Sequence, residues 1–101
     1  MLTITKTEKD TTCVTLELKG RIDSTTSPQL EAQLLPEYES ARNVKLNFAE
    51  LDYISSAGLR VLLVGVKKAN EKSAKQTLVN VSPEILEVFE MTGFDNVLNI
   101  E

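Results

Sequence analysis

With 101 residues the chain has the length of a single domain, long enough to bury about 60–70 % of the surface its unfolded form exposes. Hydrophobic residues make up 42 % and charged residues 26 %, the balance of a globular protein rather than a disordered or fibrous one. A net charge of −4, no histidine and a single cysteine exclude the commonest zinc sites and Ser-His or Cys-His catalysis, and they disfavour nucleic acid and anionic membrane as partners.

The N-terminus, Met1 to Asp10, is polar and carries Lys6, Glu8, Lys9 and Asp10, so it does not read as a signal peptide. A strand is expected around Leu2 to Lys6, joined through a polar turn from Glu8 to Thr12 to a second strand. In that second strand, residues 13–18, Val14, Leu16 and Leu18 alternate with Thr15 and Glu17. Cys13 falls in this apolar pattern as a small buried thiol, consistent with a reducing, cytoplasmic setting. Gly20 is expected to end the strand.

Ser27 followed by Pro28 has the form of a helix start, with the serine at the N-cap and the proline where a missing N–H costs nothing. Leu30, Leu34 and Tyr38 recur at helical spacing, and Pro36 should kink or split the helix. Residues 44–48 alternate as another strand. A turn from Ala49 to Ser56 then leads into a helix from about Ala57 to Asn70, whose apolar run from Val61 to Val66 is far short of the about 20 residues a membrane span needs. Residues 77–81 form a strand, and Ser82-Pro83-Glu84 opens a helix with apolar Ile85, Leu86 and Phe89. Gly93 closes it before a short strand or turn at Val97 to Ile100. This order predicts one α/β domain, residues 1–101, with a mixed, mostly parallel sheet of four to five strands. The polar alternate positions place the helices on one face and leave the other open.

The stretch Leu51 to Arg60 carries the most functional information, because two serines, Ser55 and Ser56, stand directly before a strongly periodic helix. Projection of that helix sends Leu59, Leu62, Leu63 and Val66 toward the sheet. Val61 and Val64 then fall on the uncovered side with Arg60 and Lys67, as a small patch suited to a protein interface. The serines suit simple capping, and a helix N-terminus there also tolerates a phosphate.

Gly20-Arg21-Ile22-Asp23, the block from Ile54 to Leu63, and the ending Ile85, Val88, Phe89, Thr92-Gly93-Phe94 together resemble the STAS domain (the sulphate transporter and anti-sigma factor antagonist fold). The likeness is to a stand-alone bacterial anti-sigma factor antagonist. It implies binding to an anti-sigma factor that is also a serine kinase, release of a sigma factor, and reversal by a serine phosphatase. The family's phosphorylated serine falls on Ser56, two positions before Gly58, with Ser55 as second choice. The family often has Asp where this chain has Ser55, and Ser or Thr where it has Ala57. The partner surface implied by the resemblance and the helix projection comprises Asp23, Ser55, Ser56, Ala57, Gly58, Arg60, Val61 and Val64. Asp23 also suits an ordinary turn.

Two other readings stand beside this one. One is a STAS subunit of a stressosome-like or lipid-transport assembly. The other is a nucleotide- or anion-binding module at the Ser55–Gly58 turn, against which stands the lack of a Gly-rich phosphate loop. No grouping of acids and lysines forms a catalytic constellation, so no enzyme activity, metal or cofactor is expected.

Overall fold

In the computed structural model, which describes residues 1–8 and 10–101, the alternating segments become one sheet. Strands β1 (Leu2–Glu8) and β2 (Cys13–Ile22) pair antiparallel, and β3 (Asn43–Ile54), β4 (Gln76–Val79) and β5 (Asn99–Ile100) add in parallel, in the order β1-β2-β3-β4-β5. Helices α1 (Ser27–Glu39), α2 (Ser56–Glu71) and α3 (Pro83–Thr92) form the three crossovers. Every parallel step moves the same way across the sheet, so right-handed connections put all three helices on one side.

The core forms where the sequence alternates. Val14, Leu16 and Leu18 of β2, Val44, Leu46 and Phe48 of β3 and Leu78 of β4 are buried beneath Leu30, Leu34, Leu62 and Phe89 of the helices. Phe48 and Phe89 meet edge-on, with ring centres 6.3 Å apart, the favoured aromatic geometry. Thr3, Thr5, Glu17 and Lys19 lie exposed on the opposite face. One depression of about 160 Å³ sits there, lined by these residues with Asn47, Ala49 and Glu50.

A buried polar tie fixes α1 and α2 to the sheet. The Tyr38 hydroxyl donates to Gln76 Oε1 at 2.7 Å, and Gln76 Nε2 donates to the Leu62 carbonyl at 3.0 Å. Burial pushes the Tyr38 pKa up, so the phenol remains a donor. Removing that donor leaves a buried acceptor unsatisfied. Tyr38→Phe is therefore expected to cost about 1–3 kcal/mol, read as a lower urea midpoint with an unchanged slope.

Several boundaries differ from the expectation. Lys9, within the turn expected from Glu8 to Thr12, lies outside the described residues; at the far end of that turn Asp10 Oδ1 accepts from the Thr12 amide at 2.7 Å. Gly20 does not end β2, which runs on to Ile22. Gly20 has φ +109, and a Cβ there would collide with the Met1 carbonyl oxygen, so only glycine lets β1 start against it. The N-cap of α1 is Thr26 rather than Ser27, because the Thr26 hydroxyl is held in the preceding turn, donating to Arg21 O at 2.9 Å. Pro36 does not split α1, which runs from Ser27 to Glu39; the carbonyl left without its helical donor is that of Ala32, an exposed residue. Ser82 caps α3 as expected, accepting from Ile85 N at 3.3 Å, and Gly93 closes it at φ 78.

The largest difference is at residues 49–54, where a turn was expected and β3 continues. Pairing with β2 shifts between Glu17/Lys19 and again between Gly20/Arg21. In each shift β3 carries one extra residue, a β-bulge. Buried positions therefore run Phe48, Leu51, Ile54, and the doublets Ala49-Glu50 and Asp52-Tyr53 are exposed. Spacing by three hid the strand.

Candidate functional site

The parallel strands β2 and β3 end side by side, and their loops meet there. The Ser55 amide donates to the Ile22 carbonyl at 2.8 Å, which brings the Asp23 turn against the start of α2. Asp23, Ser55, Ser56, Ala57 and Gly58 are thereby gathered at one end of the sheet, the carboxyl ends of the strands.

Asp23 spends its carboxylate on its own turn. Its Oδ1 accepts from the Thr25 hydroxyl at 2.7 Å, the Thr25 amide at 2.9 Å and the Thr26 amide at 3.1 Å. These bonds, the Thr25 hydroxyl foremost, hold its pKa well below the ordinary 3.8, at about 2. A depressed folded-state pKa gives a contribution to stability that is present in full above the unfolded value. It is lost as pH falls through the folded value. An NMR titration of the Asp23 carboxyl is expected to show a midpoint near pH 2, and Asp23→Asn should flatten the loss of stability between about pH 4 and pH 2. A midpoint at the ordinary 3.8 would remove the turn bonds from the account.

The two serines divide sharply. Ser55 holds the N-cap position of α2, yet its side chain makes no capping bond, and its Oγ is buried without a partner. Ser56, the first helical residue, is exposed. The helix therefore begins with unpaired amides beside an accessible hydroxyl, rather than with the capped turn that serine at this position usually gives. Gly58 is buried, and α2 crosses the sheet so closely there that a Cβ would stand 2.6 Å from Ile22 Cγ2.

Along α2 the exposed stripe carries Ser56, Arg60, Val64, Lys67 and Glu71. Val64 is 38 % exposed, as expected. Val61 is not: it is 6 % exposed and belongs to the core, which corrects its place on the docking face. Leu63 and Val66, expected against the sheet, are only half-buried. The helix is rotated from its leucine stripe because Gly58, Gly65 and Ala69 form its side of closest approach, with Gly65 against Leu34 and Gln76. Small residues contribute little to a hydropathy pattern and a great deal to how near a helix can lie. Arg21 and Tyr53, which lie outside the expected partner surface, stack at this same end of the sheet, with Arg21 Cζ 4.4 Å from the ring centre.

A family model for the STAS domain matches residues 4–101. The chain belongs to the STAS family. The candidate anti-sigma factor antagonist BtrV of Bordetella bronchiseptica is 38 % identical to this STAS domain over 84 residues, covering 82 % of the chain and 72 % of that protein. The anti-sigma-B factor antagonist of Listeria monocytogenes is 25 % identical over 96 residues, covering 93 % and 83 %. Among solved structures, the anti-sigma factor antagonist SpoIIAA in its unphosphorylated form superposes with a TM-score of 0.84 at 20 % identity, covering 98 % of this chain and 88 % of that one. The phosphorylated form of SpoIIAA, from Bacillus, gives a TM-score of 0.76 at 19 % identity, covering 98 % and 91 %. In this STAS domain no helix among the described residues is long and apolar enough to cross a membrane.

Proposed function

We propose that this STAS domain is an anti-sigma factor antagonist that works in the cytoplasm and is switched by phosphorylation of Ser56. It binds a serine-kinase anti-sigma factor and frees a sigma factor. The kinase modifies Ser56 and so ends binding, and a serine phosphatase restores it. The observation that carries this reading is the contrast at the start of α2, where Ser56 is exposed and the Ser55 hydroxyl oxygen is buried. The names of the relatives support the antagonist role.

Phosphate adds about −1.5 to −2 charges at pH 7. On Ser56 it meets the uncapped amides of the first turn, where negative charge is favourable by about 0.3–1 kcal/mol in water. Arg60, one turn on along the same stripe, offers a partial counter-charge. The fold thus accepts the group. A close protein interface does not, because a buried ion costs several kcal/mol unless it is well paired. Asp23, ionised and held beside the loop, adds like-charge repulsion. Its role in the surface is to shape the loop and supply negative charge, since its turn bonds already occupy one oxygen.

The test is a displacement assay. Unmodified protein added to a preformed complex of the source cell's anti-sigma factor with its sigma factor should release the sigma factor, and protein already treated with the kinase and Mg-ATP should not. An intact complex at saturating unmodified protein would remove the antagonist reading.

A further inference from the structure

Arg21 and Tyr53 owe their meeting to an irregularity. Without the extra residue in β3, Arg21 would face Asp52; the bulge at Asp52 shifts the register so that Arg21 pairs with Tyr53 and Ile22 with Ile54. Ile22 and Ile54 turn into the core, and Arg21 and Tyr53 turn to the open face of the sheet. The guanidinium carbon then lies 4.4 Å from the ring centre, within cation–π range.

Both side chains are exposed, Tyr53 at 41 %. Lys19, the preceding open-face cation on β2, pairs with Glu50 at 3.8 Å. Arg21 has no such carboxylate among the described residues, so its fork of N–H donors is unspent. Stacking holds a long, mobile side chain in one orientation before any partner arrives, which removes part of the ordering cost of binding. A stacked guanidinium still presents its edge for two parallel bonds to a carboxylate. Arg21 lies two residues before Asp23 at the end of β2, and Tyr53 lies two before Ser55 at the end of β3.

We propose that Arg21, on its Tyr53 platform, is a second recognition element of the same interface and takes a carboxylate side chain of the anti-sigma factor. This rests on the antagonist reading above. The partner reaches over the ends of β2 and β3, touching the Ser56 loop on the helix side and Arg21 on the open side. Tyrosine and arginine are the residue types that most often dominate binding when they stand in such positions. The two elements divide the work: the phosphate on Ser56 decides whether binding occurs, and Arg21 helps decide which partner is bound.

Titration of the purified anti-sigma factor with wild type, Arg21→Glu, Arg21→Lys, Tyr53→Ala and Ser56→Asp, each first checked for an unchanged circular dichroism melt, tests this. Arg21→Glu and Tyr53→Ala are expected to raise Kd about tenfold or more. Arg21→Lys should fall between wild type and Arg21→Glu, since an ammonium cannot make the forked pair. Arg21→Glu should also flatten or reverse the weakening of binding by salt. If the Arg21 and Tyr53 variants bind as wild type does while Ser56→Asp loses binding, the recognition element is overturned and the switch stands. If wild type itself does not bind, both fall together.

Discussion

Ser56→Asp is expected to weaken binding of the anti-sigma factor by at least about 100-fold while leaving the free protein as stable as wild type. The magnitude follows from where the charge goes. Several kcal/mol for burying an ion in an interface, at about 1.4 kcal/mol per factor of ten, corresponds to 100-fold or more. A complete reversal of populations needs about 5.5 kcal/mol, within reach of a phosphate with its greater charge. In the free protein the same group lies in water at the positive end of a 16-residue helix, so the unfolding free energy should rise by no more than about 1 kcal/mol. Calorimetric titration against the anti-sigma factor and urea unfolding read the two quantities separately. Undiminished affinity of Ser56→Asp would contradict the charge mechanism; loss of affinity together with loss of fold would point instead to a structural serine.

Gly58→Leu should produce the largest loss of stability at the site, at least about 3 kcal/mol. Two effects compete when a side chain is added at this position. Glycine within a helix is disfavoured by about 1 kcal/mol relative to alanine, so propensity alone predicts a gain. Sterics decide otherwise, because a Cβ would already stand 2.6 Å from Ile22 Cγ2 and 2.7 Å from Ile54 Cγ1. Both are core side chains at the strand ends with little room to retreat. Overpacking by a methyl group costs about 1–3 kcal/mol, which outweighs the propensity gain, so even Gly58→Ala should be destabilising. Leucine adds three further carbons into the same gap. The helix start must then lift from the sheet, carrying Ser55 and Ser56 with it, so partner affinity should fall with stability. A Gly58→Leu variant with a wild-type urea midpoint would show that α2 does not lie this close.

Most of the fold was legible in the sequence. Strict alternation gave the cores of β2 and β3, and the cap, proline and glycine around Ser82 to Gly93 gave α3. What failed did so where two periodicities compete. The bulged end of β3 buries every third residue, which reads as neither strand nor turn until it is paired with β2. Val61 was misplaced for a related reason: a leucine count fixes the apolar stripe of α2, whereas Gly58, Gly65 and Ala69 fix the side that lies nearest the sheet and α1. The site was legible as a loop and less so as chemistry. Ser55 and Ser56 were singled out together, and only their geometry separates a buried oxygen from an exposed one. The pairing of Arg21 with Tyr53 depends on a register that no local pattern contains.

The most direct measurement of the central claim is to incubate the protein with the purified anti-sigma factor kinase and Mg-ATP, then locate any phosphate by peptide mass spectrometry. A single phosphate on Ser56, absent from Ser56→Ala and present in Ser55→Ala, is the predicted result. Phosphate on another residue, or a stable complex in which Ser56 is never modified, would contradict it.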